Sequence, residues 1–235
     1  MIIGIDGRPA NASRRAGIGN YCYELLKALV ALPRDAAYRI YLDRPPQPGF
    51  PAKEGLVEVR VLPACRGWTL RHLARELRSD PPDVFFTAGI QLPLWVPCPR
   101  VATLLDLAYM TFPTYFGWQT RLLAPPRARL AACIADHFIA ISQATKADAE
   151  RLLGIAAERL TVAPLGCSPH FRPCDEAETS RVREAHGLPE RYVLYVGRLQ
   201  PRKNIERLVG AFTAVRSRQA ELPHHLVIVG DKGWL

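Results

Sequence analysis

Several motifs that identify common classes of functional site are missing from this sequence of 235 residues. Six cysteines occur, but no two form a C-x-x-C pair, which argues against a zinc site and predicts reduced thiols. Neither G-x-S-x-G nor H-E-x-x-H is present, so nothing indicates a serine hydrolase or a zinc protease. Zinc-finger spacing and the aromatic RNA-recognition motif are missing too, and we expect no nucleic-acid partner.

Long apolar runs and an N-terminal secretion signal are also missing. No run reaches the ~18 apolar residues of a membrane-spanning helix. Met1–Ala10 lacks the charged and apolar regions of a signal peptide, so a cytoplasmic protein is expected. Acidic residues number 22 against 31 lysines and arginines, which gives a net charge of +9. A basic surface favours anionic partners such as nucleotides or anionic lipid headgroups.

The chain alternates short apolar runs with helical patterns, which predicts an α/β fold with a mainly parallel sheet. Strands are expected at Met1–Asp6, Tyr38–Leu42, Val57–Leu62, Val84–Thr87, Val101–Leu105, His137–Ile141, Leu160–Ala163, Tyr192–Val196 and Leu226–Val229. Helices are expected at Tyr21–Leu32, where Pro33 would end the helix, and at Leu70–Arg78, Arg127–Ala135, Lys146–Leu153, Glu176–His186 and from Ile205 onward. One domain would cover residues 1–185, and residues 186–235 would begin a second.

Tyr192–Arg218 is the most informative stretch of the chain. Its apolar run ends at Gly197 and predicts a buried strand. The loop that follows contains Arg198 and Lys203, and apolar residues then recur with helical spacing. A loop at a helix N-terminus favours an anion, because N–H groups are unpaired there and the helix dipole is positive. We therefore predict that Arg198 and Lys203 bind a phosphate or diphosphate.

A second candidate phosphate site lies at Gly17 and Gly19, which open the first predicted helix. A dinucleotide-binding Rossmann site is the rival interpretation. In such sites the glycines follow the first strand immediately, whereas about ten residues separate Asp6 from Gly17 here. Asp43, at the end of the second predicted strand, would be the ribose ligand in that interpretation, and a solvated loop acid otherwise.

Two stretches combine arginines with apolar and aromatic residues, Trp68–Arg78 and Trp118–Arg129. In the first, apolar residues and arginines fall on different sides of a helix. This pattern is typical either of a helix packed on a core with one solvated face or of a helix lying on an anionic membrane. Both interpretations stay open from the sequence.

The sequence GRLQPRKNIERLVGAF, at residues 197–212, resembles the signature that opens the second domain of family-4 glycosyltransferases with the GT-B fold. The resemblance extends from Gly7 to Gly230. It implies two Rossmann-like domains, of which the second is incomplete here. It also implies that Arg198 and Lys203 bind the diphosphate of a nucleotide-sugar donor, with Asn204 beside them in the substrate cleft.

The same family has further motifs that this chain matches. Its G-R-x-x-x-G-[IV]-G-x-Y loop, spaced differently here, corresponds to Gly7, Arg8, Gly17, Ile18, Gly19 and Tyr21. This resemblance implies that Gly17 and Gly19 face the donor phosphates and that Arg8 and Tyr21 line the cleft.

Two more segments resemble motifs near the transferred sugar. Asp106 matches the acid of the family's H-D-L segment and is the candidate catalytic residue, whereas Leu105 stands where the family has a histidine. Leucine neither donates nor accepts a hydrogen bond. Ser142 and Thr145 match the A-V-S-x-x-[ST] element and would face the cleft. Ser142 also fits a simple helix N-cap, and Asp106 a strand-end cap.

The resemblance implies transfer of a sugar from a nucleotide-sugar donor to a glycan or lipid-linked acceptor in polysaccharide biosynthesis. It implies retention of configuration and no metal or other cofactor. The resemblance places the family's E-x7-E element in the second domain, later than residue 235, so we expect the chain by itself to be inactive. A non-catalytic binding module and another GT-B enzyme, such as a nucleotide-sugar epimerase, are the alternatives. Peripheral contact with the inner face of an anionic membrane is a further expectation.

Overall fold

The structure is a computed structural model that describes residues 1–32, 36–52, 55–219, 221–231 and 233. The chain forms two compact units, Met1–Ser168 and Pro169–Leu235. The helix Glu176–Ala185 lies in the second unit, whereas the sequence suggested that the first domain continues to residue 185. The backbone N–H of Leu188 donates to the carbonyl of Arg183 at 2.9 Å and closes the C-terminal turn of this helix.

A parallel sheet forms the centre of the first unit. Its strands are β1 (Ile2–Asp6), β2 (Ala37–Leu42), β3 (Val57–Val61), β4 (Val84–Thr87), β5 (Arg100–Leu104), β6 (His137–Ala140) and β7 (Leu160–Val162). They lie in the order β3-β2-β1-β4-β5-β6-β7, and every neighbouring pair is parallel. The predicted α/β class with a parallel sheet is confirmed.

Helices connect these strands. They are α1 (Ile18–Ala31), α2 (Ala74–Ser79), α3 (Ala108–Thr111), α4 (Trp118–Ile134) and α5 (Gln143–Leu153). A π-helical turn at Thr69–Leu73 leads into α2, and short 3-10 turns occupy Pro113–Tyr115 and Ala157–Arg159. Pro33, which the sequence suggested as the end of the first helix, lies outside the described residues.

Side chains from both faces of the sheet enter separate apolar cores. Ile40 and Phe86 pack with α1, whereas the adjacent residues Tyr41 and Phe85 pack on the opposite side with α4 and α5. Successive residues of a strand point to opposite faces, so one strand can supply both cores. Sheets covered on both faces in this way carry the nearly continuous apolar runs seen in the sequence.

The apolar stripe of α1 is wider than the sequence pattern suggested. Cys22, Leu26 and Val30 are buried, whereas Tyr21 and Leu25 are half-buried at the margin. Apolar residues occupy both the predicted face, which includes Tyr21 and Leu25, and the positions one residue later. The apolar stripe is therefore broad, and its centre lies one residue after the predicted face.

α4 begins at Trp118, well before the predicted start at Arg127, and it contains Pro125 and Pro126. Proline lacks a backbone N–H and normally interrupts a helix, which explains why the sequence indicated only the second half. The buried residues of α4 are Ala128, Ala131 and Ala132. Small side chains therefore set the contact of this helix with the sheet.

The second unit contains α6 (Glu176–Ala185), β8 (Tyr192–Val196), a 3-10 turn at Pro201–Lys203, α7 (Ile205–Arg218) and β9 (His225–Val229). β8 and β9 are parallel, as the predicted strand–helix–strand pattern requires. The expectation that β8 is buried was wrong, because Leu194 is 51% and Val196 69% exposed. Among the described residues β8 pairs with β9 alone, so these apolar side chains lack cover.

Within the part of the chain that the structure describes, no helix combines the length and apolar character needed to cross a membrane.

Candidate functional site

The carboxyl ends of the strands define the candidate site of the first unit. In sheet order, β2 lies on one side of β1 and β4 on the other, so the strand order reverses at β1. In parallel α/β sheets, ligands bind outside the carboxyl ends of the strands at such a switch point. The loops after β1, β4, β5 and β6 all reach this edge, because the strands are parallel. The predicted site residues of this unit lie in those loops or at the helices that follow.

Two glycines shape the segment between β1 and α1. Gly17 precedes α1 with φ of 47°, in the left-handed region that favours glycine. At Gly19, a Cβ atom would lie 2.9 Å from the carbonyl oxygen of Pro9. A Cβ atom on Gly89, in the loop after β4, would lie 2.9 Å from Ile18 Cδ1. The N-terminus of α1 therefore lies directly against the loop after β4, at the switch point.

The N-terminus of α1 carries no acidic group. Its first turn contains no Asp or Glu, and Gly17 provides no side chain to cap it. Unpaired N–H groups and the helix dipole give such an end a partial positive charge, which suits a phosphate oxygen. The assignment of Gly17 and Gly19 to a phosphate site stays a prediction: Gly17 is exposed, whereas Gly19 is buried and its N–H donates to the carbonyl of Ala16 at 3.0 Å.

The segment after β2 anchors the β1–α1 loop, a role that sequence reasoning missed. Asn11 is 2% exposed, and its Nδ2 donates to the carbonyl of Pro45 at 3.0 Å. Its Oδ1 accepts from the backbone N–H of Gln47 at 2.7 Å. An asparagine in a glycine-rich segment signals only a turn, so nothing in the sequence indicated this contact.

Asp43, the ribose ligand of the rival interpretation, forms an ion pair with Arg44 at 3.1 Å.

Arg8 binds an acid of its own unit. Its Nε lies 2.9 Å from Asp6 Oδ1 and its Nη2 2.6 Å from Asp6 Oδ2, a two-point ion pair with a carboxylate that is 3% exposed. The same Nη2 donates to Thr69 Oγ1 at 2.8 Å, and the guanidinium lies 4.0 Å from the centre of the Trp68 ring. Arg8 thus joins the end of β1 to the π-helical turn, and much of its hydrogen-bonding capacity is already used.

Tyr21 links α1 to β5, because its hydroxyl lies 3.1 Å from the hydroxyl of Thr103, which is buried. Burial is the main cause that raises the pKa of Tyr21, and the hydrogen bond to Thr103 opposes it. Burial, with the charge of Asp6, also raises the pKa of the neighbouring Cys22 thiol to about 12. Cys22 is therefore a neutral core thiol.

Asp106 lies in the loop after β5 and is exposed. Its Oδ1 accepts from the backbone N–H of Ala108 at 3.1 Å and so caps the start of α3. Its Oδ2 makes no hydrogen bond to the described residues. One oxygen thus fixes the side chain while the other remains available to a ligand. Leu105, beside it, is half-buried and contributes only apolar surface.

Ser142 and Thr145 follow β6 at the start of α5. Ser142 Oγ accepts from the backbone N–H of Thr145 at 3.1 Å, so the N-cap interpretation of Ser142 is correct. The two hydroxyls also lie 3.0 Å apart, and Thr145 is buried. Ser142 and Thr145 thus fix the N-terminus of α5 at the carboxyl edge of the sheet. Their contact with a substrate stays a prediction.

In the second unit, the loop after β8 is held by its backbone. The N–H of Gly197 donates to Val229 at 2.9 Å, and the N–H of Leu199 donates to Asp231 at 3.0 Å. A Cβ atom at Gly230 would collide with the carbonyl of Gly197, so the two strand ends need glycine to approach. Asn204 has φ of 55° and turns the chain from the 3-10 segment into α7.

The cations of this loop differ in how they are used. Arg202 Nε donates to Gln200 Oε1 at 3.1 Å, and Gln200 is buried. Arg198 and Lys203 are exposed, and neither side chain forms a hydrogen bond or ion pair with the described residues. Two full positive charges without an internal partner thus lie in the loop that precedes α7. The first turn of α7 does contain one acid, Glu206.

No group of three or more His, Cys, Asp or Glu side chains in the described ranges is placed so that it could hold a metal ion.

A family of known proteins matches this chain. The glycosyl transferase 4-like domain covers residues 16–166, from the N-terminus of α1 to the end of the first unit's sheet. The chain belongs to this glycosyl transferase 4-like family. The matched range includes the candidate residues Gly17, Tyr21, Asp106 and Ser142, and it ends before the second unit begins.

One curated relative and one solved structure extend the comparison. The O-antigen chain mannosyltransferase B of Escherichia coli is 26% identical over 135 residues, which is 57% of this chain and 35% of that protein. HepE of Anabaena, in complex with UDP and glucose, matches 99% of this chain with a TM-score of 0.64 and 18% identity. HepE in complex with UDP-glucose gives a TM-score of 0.60 and 16% identity.

The structural likeness shows that the fold is of the GT-B type, as the sequence suggested. The chain spans 61% of HepE in the first of these structures and 35% of the mannosyltransferase. It therefore corresponds to a part of each relative.

Proposed function

We propose that the protein acts as a glycosyltransferase that moves a sugar from a nucleotide-sugar donor to a glycan or lipid-linked acceptor. Its family and fold support this function, and HepE, of the same fold, was crystallised with UDP, glucose and UDP-glucose. The observation that carries the proposal is the pair Arg198 and Lys203, two exposed cations without an internal partner in the loop before α7.

In the proposed reaction, the bond between the anomeric carbon and the diphosphate oxygen breaks, a bond to the oxygen of an acceptor hydroxyl forms, and the hydroxyl proton passes to the leaving diphosphate. Negative charge grows on the leaving diphosphate as the bond breaks. Arg198 and Lys203 would stabilise that charge with charge-assisted hydrogen bonds. In the first unit, the N–H groups at the start of α1, beside the exposed Gly17, would form a second candidate phosphate site.

We assign the remaining candidate residues to the sugar and the acceptor. Asp106 Oδ2 would accept a hydrogen bond from a sugar hydroxyl, because Oδ1 is already used in capping α3. Tyr21, Ser142 and Thr145 would shape the wall of the candidate site of the first unit. Arg8 would act indirectly, by holding the β1–α1 loop through its ion pair with Asp6.

We further propose retention of configuration at the anomeric carbon and no requirement for a metal ion. The two cationic side chains can supply the positive charge that a metal would otherwise place on the diphosphate. In an active transferase that contains this chain, addition of EDTA should then leave transfer unchanged, and NMR of the product should show the anomeric configuration of the donor.

The product is proposed to be a polysaccharide, because the Escherichia coli relative is an O-antigen chain mannosyltransferase. We place the reaction in the cytoplasm, at the inner face of a membrane. The net charge of +9 supports contact with anionic lipid headgroups.

Nucleotide binding tests the proposal most simply. Isothermal titration of the chain with UDP-glucose, GDP-mannose, UDP, GDP, UMP and GMP separates the contribution of the diphosphate from that of the base. We expect the diphosphates to bind more tightly than the corresponding monophosphates. Equal affinity for monophosphates and diphosphates would remove the diphosphate site from the account.

A further inference from the structure

α4 presents its large apolar residues to solvent and its small ones to the core. Ala128, Ala131 and Ala132 are buried, whereas Trp118 is 71% and Leu122 64% exposed. The usual surface helix has the opposite arrangement, with large apolar side chains on the core. The exposed set, which we call the α4 surface, consists of Phe112, Trp118, Leu122, Leu123 and Leu130.

The charges on this surface are all of one sign. Residues 107–135 contain Arg121, Arg127 and Arg129 but no Asp, Glu, Lys or His. All three arginines are exposed, and none forms an ion pair or a hydrogen bond through its side chain with the described residues. The α4 surface therefore joins apolar side chains to cations that have no internal partner.

The other basic aromatic stretch of the chain does not have this character. Trp68, Leu73 and Leu77 are buried in the core beside α2, so Trp68–Arg78 is a core-packed helix with a solvated face. Elsewhere in the described first unit Trp95 is exposed, but single exposed apolar residues are ordinary. The clustering at α4 is what calls for an explanation.

We infer that the α4 surface docks on the headgroup region of an anionic lipid bilayer. Tryptophan and leucine side chains enter the boundary between headgroups and acyl chains, and arginines pair with anionic headgroups while their stems remain in apolar surroundings. This inference locates the membrane contact proposed above, and it needs no donor chemistry.

A second copy of the chain fits this surface less well. In a two-fold symmetric contact the same patch faces itself, which would bring three arginines toward three arginines. No acid within residues 107–135 could pair with them. A bilayer that carries anionic lipid offers both the apolar depth and the opposite charge.

Vesicle co-sedimentation of the whole chain tests the inference. The vesicles are made of phosphatidylcholine alone or with phosphatidylglycerol, and no nucleotide is present, so the outcome is independent of the proposed transfer reaction. We expect binding to the anionic vesicles. Arg121→Gln and Arg129→Gln should each weaken it about fivefold, the factor for one basic residue at such a surface.

Matched control variants keep the test specific. Trp118→Ser with Leu122→Ser should reduce binding, whereas Phe171→Ser, an equally exposed aromatic in the second unit, should not. The double variant Arg216→Gln with Arg218→Gln removes two exposed charges from α7. It should change vesicle binding less than the double variant Arg121→Gln with Arg129→Gln in α4. Circular dichroism checks that each variant is folded.

Cysteine labelling gives a second readout without substitution. Cys133 lies on the exposed side of α4, four residues after Arg129, and Cys174 is exposed in the second unit. Anionic vesicles should slow maleimide labelling of Cys133 but not of Cys174. Equal labelling rates, absence of vesicle binding, or binding that the α4 variants leave unchanged would overturn the inference. So would a dimer in solution, seen by light scattering, that the same α4 variants dissociate.

Discussion

At the scale of single residues, the first unit depends on one buried carboxylate and its arginine. Asp6 is almost completely buried at the carboxyl end of β1, and Arg8 binds it through two nitrogens. A buried ion pair contributes little net stability, but removing one partner leaves an uncompensated buried charge. The position of Arg8 in the site is thus fixed by the fold as much as by any ligand.

Replacement of Arg8 should reveal this dependence. We expect Arg8→Met to lower the free energy of unfolding by about 3–5 kcal/mol, measured in urea, because Asp6 stays buried and unpaired. The double variant with Asp6→Asn should recover much of the loss. Arg44→Met, which breaks the exposed pair with Asp43, is the control and should have no measurable effect. A loss in the double variant equal to that in Arg8→Met would contradict the explanation.

Tyr109 links the site to alkaline stability. Burial, with the nearby charge of Asp106, raises its pKa to about 12 from 10.0. Between these values the folded protein binds a proton that the unfolded chain has released, so stability falls as pH rises from about 10 to about 12. Urea unfolding at several pH values should show a smaller fall in Tyr109→Phe. Parallel pH profiles for the variant and the parent would refute this role.

At the scale of elements, sequence patterns located most strands and helices because burial and periodicity agree there. The strand Val84–Thr87 and the cap Ser142 were predicted as they occur. Two elements deviated for physical reasons. The sequence pattern does not indicate the first half of α4, because Pro125 and Pro126 oppose a helix. The apolar composition of β8 indicates a buried strand, but a composition does not show which elements pack on it.

Glycines at two helices should respond in opposite ways to alanine. Gly19→Ala should destabilise the protein by about 1–3 kcal/mol, because its Cβ would press against the carbonyl of Pro9. Gly210→Ala, inside α7 with nothing within 4 Å of the added Cβ, should stabilise the helix by about 0.5–1 kcal/mol. Thermal unfolding measures both. Equal effects of the two substitutions would argue against the close approach at Gly19.

At the scale of the whole chain, the sequence indicated two units but placed their boundary at residue 185. Helical periodicity alone could not tell to which unit α6 belongs, since that depends on contacts distant in sequence. Several contacts in the candidate site could not be predicted either, because they also join residues that are distant in sequence. The pairing of Tyr21 with Thr103 and the anchoring by Asn11 join residues that only the fold brings together.

Limited proteolysis should locate the boundary. Residues 163–175 form no strand or helix, and Arg172 is exposed within them. Proteinase K, which has broad specificity, should therefore cleave first within residues 163–175 and release an N-terminal fragment that resists further digestion, as mass spectrometry would show. Initial cleavage within residues 186–191, with residues 163–175 intact, would instead support the boundary at residue 185.

The proposed function depends on Arg198 and Lys203, which would hold the diphosphate of a nucleotide-sugar. The most direct measurement is calorimetric titration of Arg198→Gln and Lys203→Gln with UDP and GDP, with Arg216→Gln at the far end of α7 as the matched control. Each loop variant should bind the preferred nucleotide at least about tenfold more weakly, the loss of one charge-assisted hydrogen bond, while the control keeps the parent affinity. Unchanged affinity in both loop variants, or an equal loss in the control, would contradict the account.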